Sequence, residues 1–366
     1  MGTMSAKEGH NYAPAGKPSP VCAPGEFVIA AAHLDHGHIY GQCNGLTEAG
    51  ATIKWVYDPD AGRVRDFIAK YPSAKPARSL EEILDDPGVQ MVAAAAVPDE
   101  RGPLGCRVMR AGKDYFTDKA PFTTLEQLAE ARRAVAETGR KYAVYYSERL
   151  HVECAVHAGD LVEAGAIGRV LQTLGTGPHR LSAASRPAWF FERARYGGIL
   201  CDIGSHQCEQ FLYFTGAKDA EVKLASARNA AHPEHPGLQD FGECALAADN
   251  GSSGYFRVDW FTPAGLGTWG DGRLIILGTE GYIELRKYAD IATSNGPDQL
   301  LLVDGKGEQR IPCAGLVGYP FFGRLILDCL NRTENAMTQE HAFKAAELCL
   351  QAQNMADRQS PRGPGA

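Results

Sequence analysis

Asp202 and His206 stand four residues apart in the run Tyr-Gly-Gly-Ile-Leu-Cys-Asp-Ile-Gly-Ser-His-Gln, residues 196–207. On a helix, that spacing puts both side chains on one face. A neighbouring carboxylate favours the protonated imidazole and a helix N-terminus disfavours it, which leaves the ring near neutrality, where a general base works best. Cys208 to Phe214 is apolar and aromatic and is closed by Gly216, so a buried helix is expected here, with Asp202 as its N-cap. On these residues alone, an aspartate cap followed by a core histidine is the simpler explanation.

A second feature lies further upstream. Val89 to Val97 is a short apolar run ending at Pro98, as a buried parallel strand should be. A helix over Arg101 to Ala111, stopped by Gly112, and a strand over Asp114 to Thr117 then deliver Asp118-Lys119-Ala120-Pro121 to a strand's carboxyl end. In doubly wound sheets that edge receives ligands. A lone lysine there reads equally as a solvated loop charge.

Together these segments resemble the Gfo/Idh/MocA family, the glucose-fructose oxidoreductase and inositol dehydrogenase relatives. The specific match is Gly197-Gly198-Ile199-Leu200-Cys201-Asp202-Ile203-Gly204-Ser205-His206, which follows the family's Gly-Gly-x-x-x-Asp-x-Gly-x-His. Gly165 to Val170 and Leu277 to Gly281 resemble its Gly-x-Ile-Gly-x-Val and Gly-Thr-x-Gly segments. The resemblance implies Lys119, Asp202 and His206 as catalytic residues. It also implies an α/β fold: an N-terminal Rossmann domain, and a C-terminal α+β domain with a large open, mostly antiparallel sheet whose open face pairs with another subunit in a dimer or tetramer. Where the family has Glu-Lys-Pro, this chain has Lys119-Ala120-Pro121. Two geometries are therefore expected: a trans Lys119–Ala120 bond with the turn moved to Pro121, or a cis bond retained.

Composition fits a soluble two-domain enzyme. The 366 residues are 44% hydrophobic, enough for substantial cores, and the net charge of −7 without a long basic run argues against nucleic acid or an anionic membrane as partner. No apolar stretch approaches a membrane span. The ten cysteines contain no Cys-x-x-Cys pair and read as reduced cytoplasmic thiols. Residues 1–26, punctuated by prolines, read as a flexible arm. Residues 27–149 read as a dinucleotide-binding domain and 150–336 as a substrate and oligomerisation domain. Residues 337–366 supply a last helix, Gln339 to Ala356, and a tail.

Phe27 to Ala32, His38 to Ala49 and Thr52 to Tyr57 outline a nucleotide-binding βαβ unit that reaches Asp58. Asp58 is placed to accept from a ribose diol and repel a 2′-phosphate, and no arginine adjoins it in sequence, so NAD is favoured over NADP. Asp58 also suits a plain turn in Asp-Pro-Asp. The loop before the helix departs from Gly-x-Gly-x-x-Gly: His33, Asp35 and His38 stand where the glycines fall, among Leu34, His36 and Gly37. A carboxylate about 5 Å from a phosphate costs roughly 3 kcal/mol at an effective dielectric near 20, so Asp35 must turn away or be offset. His33, Leu34, Asp35, His38, Asp58, Pro98 and Lys119 are the expected cofactor contacts. No metal is expected, since one tight loop seldom supplies a complete site.

Thr123 and Glu126 are spaced as a capping box for a helix from Thr124 to Thr138, and a strand over Lys141 to Tyr146 closes the domain. A helix over Val152 to Glu163 leads into the second domain. There Asp249-Asn250-Gly251 marks a hairpin, and Tyr255 to Trp260, Arg273 to Leu277 and Tyr282 to Arg286 read as strands. Arg149, His151 and Trp189 join Asp202 and His206 as candidate substrate contacts. His232-Pro233-Glu234-His235 has metal-like spacing, but its prolines favour a surface loop. The expected reaction is hydride transfer between nicotinamide and a secondary alcohol of a sugar, cyclitol or related polyol. Two alternatives stand beside it: NAD-retaining glycoside cleavage or epimerisation on the same fold, and a non-catalytic sugar or nucleotide sensor.

Overall fold

The structure is a computed structural model that describes residues 9, 12–293 and 296–359. Most of residues 1–11 of the expected arm, and the tail from 360, lie outside the described residues. The chain divides into two compact units, one of residues 10–145 with 318–343, the other of residues 1–9, 146–317 and 344–366.

The first unit alternates strand and helix: β1 (Val28–Ala32), α1 (His38–Glu48), β2 (Thr52–Tyr57), α2 (Ala61–Lys70), β3 (Lys75–Pro76), α3 (Leu80–Leu84), β4 (Met91–Ala94), α4 (Pro98–Arg110), β5 (Asp114–Asp118), α5 (Leu125–Thr138) and β6 (Tyr142–Tyr145). The six strands are parallel in the order β3-β2-β1-β4-β5-β6. The order reverses between β1 and β4, which opens a crevice at the carboxyl ends of those strands. β4 and β5 are buried throughout; β4 is accordingly an unbroken apolar run, whereas β5 carries a buried aspartate at each end, Asp114 and Asp118.

Three sequence expectations need correction here. The strand expected over 89–97 pairs only across Met91–Ala94, because Ala95 instead bonds the β1–α1 loop through His33 O and His36 N, each at 3.0 Å. The next helix begins at Pro98, not Arg101: proline needs no N–H partner in a first turn, and Asp99 and Glu100 suit the dipole there. The N-cap of α5 is Thr124, bonded to Gln127 N, while Gln127 Oε1 reaches back to Thr123 N at 2.9 Å, so the capping pair is one residue later than Thr123/Glu126. Ser19 and Val21 bond the end of α1 through Glu48 O and Ala49 O at 2.8 and 2.9 Å.

The second unit holds α6 (Ser147–Leu150), α7 (Glu153–Glu163), β7 (Val170–Pro178), α8 (Arg193–Tyr196), α9 (Ile199–Asp202), α10 (Gly204–Thr215), β8 (Ala220–Arg228), β9 (Phe241–Ala248), β10 (Ser253–Asp259), β11 (Arg273–Gly278), β12 (Gly281–Arg286), β13 (Gln299–Asp304) and β14 (Gly307–Pro312). Its eight strands run β14-β13-β12-β11-β7-β10-β9-β8, antiparallel except for β7 beside β10. Helix α10 covers one face. It lies so close that a Cβ at Gly175 would meet Gln207 Oε1 at 2.1 Å, and one at Gly254 would meet Phe211 at 2.6 Å. The other face carries Leu224, nearly half exposed, and Tyr255, Leu174, Ile275, Leu277 and Tyr282, each about two-fifths exposed. Register places Tyr255 and Ile275 on either side of Leu174, and Leu277 opposite Tyr282.

Two further helices follow, α11 (Pro320–Asn331) and α12 (Gln339–Gln359). In the first unit, Phe321 and Phe322 of α11 pack on Phe116 of β5 with ring centroids 6.1 and 6.3 Å away. Gln339, which opens α12 as expected, bonds both Tyr142 N and Tyr142 O on β6.

Candidate active site

In the first unit the altered loop keeps the bend a dinucleotide turn requires. His33, at the first glycine position, takes φ 53°, a left-handed conformation uncommon outside glycine. Its ring stands edge-on to Tyr57. Leu34 N donates to Asp58 Oδ2 at 2.6 Å, and Asp58 Oδ1 accepts from Asp60 N at 2.8 Å. Asp35, at the second glycine position, is turned away from the helix start by Arg63, whose Nη1 lies 2.6 Å from Asp35 Oδ1 and 3.4 Å from Asp58 Oδ1. Asp58 therefore does have an arginine beside it. The helical turn of α2 supplies it five residues on, which adjacency in sequence could not register.

His38, at the third glycine position, opens α1 and points into a buried knot. Asp118 Oδ1 accepts from His38 Nδ1 at 2.9 Å and Lys119 N at 2.8 Å, while Oδ2 faces His36 Nδ1 and Arg101 Nη2, each at 3.2 Å. Burial pushes the Asp118 carboxyl up, but His38, Arg101 and the histidine hydrogen bonds outweigh it and hold it well below the usual range. Burial and the neighbouring His38 bring His36 down to about 3 against the pull of Asp118, so its ring is neutral. His36, His38 and Asp118 are close enough together to hold a metal ion. However, four donors already fill the carboxylate, one of them a guanidinium, and that chemistry suits a hydrogen-bonded post better than a cation site.

Asp118 and Arg101 also grip the lysine that follows. Arg101 Nη1 donates to Lys119 O and, at 3.2 Å, to Ala120 O, and the Lys119–Ala120 peptide is cis, one of the two expected geometries. Pro98 is the buried first residue of α4, at the carboxyl side of β4. Gly37, the N-cap of α1, has no side chain to cap it, His36 Nδ1 lies 3.4 Å from His38 N, and the first turn carries no acid. A helix start at the carboxyl ends of parallel strands is where a pyrophosphate is held, and these residues fit one.

In the second unit Asp202 is not an N-cap. The left-handed pair Gly197 and Gly198, φ 86° and 89°, starts the one-turn helix α9 earlier, so Asp202 ends it, and α10 begins at Gly204 behind Ile203 without a side-chain cap. His206 stands in the first turn of α10, buried, with the Tyr146 ring edge-on 6.4 Å away. Arg149 is held by Glu209, Nε to Oε1 at 2.7 Å, with its guanidinium 3.8 Å over the Tyr213 ring. His151 is buried at the end of α6, and Trp189 lies half-buried in a 3-10 turn beside Phe190. His232 bonds Asp240 at 2.8 Å and His235 stacks on Phe191, so the two histidines of that loop have separate partners.

Sequence reasoning missed a buried cluster below α10. Lys287 Nζ, just after β12, lies 2.9 Å from Glu148 Oε2 and 2.6 Å from Gln210 Oε1, while Gln210 Nε2 donates to His206 O at 2.9 Å. Gln207 Nε2 reaches Glu148 Oε2 at 3.3 Å, and His179 Nε2 lies 4.0 Å from Glu148 Oε1. Burial alone would raise the Glu148 carboxyl, but Lys287, His206 and His179 bring it down to about 2. No motif marks these residues, because they gather from α6, β7, α10 and the end of β12.

Two family models match the chain. An oxidoreductase family model with an NAD-binding Rossmann fold covers residues 33–146, and a Gfo/Idh/MocA C-terminal domain covers residues 156–284. A crystal structure from Erwinia carotovora atroseptica, assigned as an oxidoreductase, is 51% identical with a TM-score of 0.88, over 90% of this chain and 99% of that one. The chain belongs to the Gfo/Idh/MocA oxidoreductase family. It is 27% identical to D-xylose dehydrogenase of Paenarthrobacter nicotinovorans, over 56% of this chain and 52% of the relative. It is 26% identical to the NAD(+) scyllo-inositol 2-dehydrogenase of Bacillus subtilis, over 64% and 66%. The match thus spans half to two thirds of these relatives' length. Levoglucosan dehydrogenase in complex with NADH shares the fold, with a TM-score of 0.74 at 18% identity over 91% of this chain and 98% of that one. Among the described residues, no helix is long and apolar enough to cross a membrane.

Proposed function

We propose that the protein is a cytoplasmic, NAD-dependent dehydrogenase of a secondary alcohol on a sugar, cyclitol or related polyol. The observation that carries this reading is the Asp202–His206 pair, buried at the α9–α10 junction of a chain whose other unit is a parallel sheet of dinucleotide-binding type. The bound nicotinamide supplies the hydride acceptor. His206 takes the hydroxyl proton, Asp202 orients and supports the imidazolium, and Lys119, fixed through its backbone by Asp118 and Arg101, polarises the substrate oxygen. Asp35, Asp58 and Asp60 surround the single guanidinium of Arg63, an excess of negative charge that disfavours a 2′-phosphate and favours NAD.

The partner on the open sheet face is a second copy of the chain. Six large apolar side chains in neighbouring register form a self-complementary patch of the kind an isologous dimer buries. The test of function is NADH formation at 340 nm over a panel of sugars, sugar acids and inositols. Reduction of NAD by a polyol, lost in Lys119→Met, is the expected result. Product formation without net NADH would instead favour cofactor-retaining chemistry. Tight ligand binding without turnover would favour a sensor.

A further inference from the structure

The catalytic reading leaves Glu148 and Lys287 without a role, although both are about 1% exposed and burying a charge pair is costly. They are also not placed at random. Each reaches the helix that carries His206, Glu148 through Gln207 and Lys287 through Gln210. Gln210 in turn holds the backbone carbonyl of His206 itself. The second carboxylate oxygen, Glu148 Oε1, has no hydrogen-bond partner among the described residues and looks toward His179 Nε2. A buried carboxylate with one uncommitted oxygen acts on nearby imidazoles through space, and low local polarisability lets that field reach further than it would in water.

We propose that Glu148 and Lys287 are a positioning pair that sets the proton affinity of His206, Glu148 favouring the imidazolium and Lys287 opposing it. The proposal rests on the reading of His206 as the base. Several other charged or titratable groups on the elements packed against α10 have partners of their own. Tyr146 stands with its ring perpendicular to that of His206, and His179 faces Glu148 Oε1. Arg149 and Glu209 pair with each other, as do Arg257 and Asp259 on β10. Asp160 and Glu163 of α7 lie by Tyr213, toward the other end of α10. Asp202, on α9, is the assigned orienting carboxylate. Glu148 and Lys287 are thus the pair whose charges can be removed one at a time without touching the proposed catalytic residues.

The experiment titrates the His206 ring by NMR in the full-length, histidine-labelled protein, with the signal assigned by its loss in His206→Asn, alongside the pH dependence of kcat/KM. Glu148→Gln should move the His206 midpoint, and the acid limb of kcat/KM, down by about one pH unit, and Lys287→Met should move both up by a similar amount. Glu148→Asp and Lys287→Arg, which keep the charges, should stay near wild type. A loss of packing alone would not shift two variants in opposite directions, and either variant alone decides the sign should the other fail to fold. Shifts of the same sign, or none, overturn the proposal. Opposed NMR shifts with an acid limb that does not follow them would instead defeat the reading of His206 as base and leave the electrostatic pair standing.

Discussion

Asp58 Oδ2 accepts the backbone N–H of Leu34 at 2.6 Å, so the carboxylate that ends β2 is also the clamp on the β1–α1 loop. One side chain thereby couples loop shape to cofactor choice. Equilibrium titration should find NAD bound more tightly than NADP. Asp58→Ala should weaken both and narrow the difference, since it frees the Leu34 amide and leaves Arg63 facing one carboxylate fewer. Equal or reversed affinities in the wild type would remove Asp58 and its neighbouring acids from the ribose role.

Replacing His206 with asparagine keeps a polar side chain but removes its basicity. Turnover should fall about 10²- to 10⁴-fold with NAD affinity nearly unchanged. Asp202→Asn should be milder in substrate binding and still harmful to rate. Near-normal turnover in a folded His206→Asn protein would exclude the imidazole as base.

Acid should weaken the first unit through His36. Its folded value near 3 lies below the ordinary 6.5, so between those two pH values the unfolded chain binds a proton that the folded chain refuses, and stability falls as pH falls. The slope from this one group reaches about 1.4 kcal/mol per pH unit. Asp118, whose folded value is depressed, adds its own loss only at lower pH, below the usual aspartate range. Urea unfolding at pH 6.5, 5.5 and 4.5 should therefore give a shallower decline in His36→Gln than in wild type. Parallel declines would mean that His36 is protonated in the native protein.

The apolar sheet face predicts self-association that one charge disrupts. Leu174→Asp places a carboxylate between Tyr255 and Ile275, at the centre of the patch. Sedimentation should show a smaller species than wild type, with the fold unchanged by circular dichroism. An unaltered sedimentation coefficient would place the subunit contact elsewhere.

The strand–helix alternation of the first unit, several strands of the second and the Asp202–His206 segment were legible because each rests on local pattern: apolar runs of strand length, glycine punctuation, and a ten-residue match. The mistakes have equally local causes. Asp202 looked like a cap because caps are judged from side-chain type, whereas the helix start was decided by the left-handed φ of Gly198. Pro98 looked like a strand terminator and is also a helix initiator. What could not be read was the long-range assembly. His36 and His38 meet Asp118 about eighty residues later, and Glu148 meets Lys287 after 139, with no spacing rule to join them. Arg63 was missed for a smaller reason, a single turn of helix.

The close seating of α10 on its sheet has a consequence for mutational tolerance. At Gly254 even one methyl group would collide with the ring of Phe211, on the helix that carries His206. In a saturation screen scored by activity, alanine there should be depleted as strongly as many changes at His206, although the glycine has no group able to move a proton. A map of intolerant positions would thus trace the underside of the helix as well as the chemistry above it, and only separate scoring for abundance would tell the two apart.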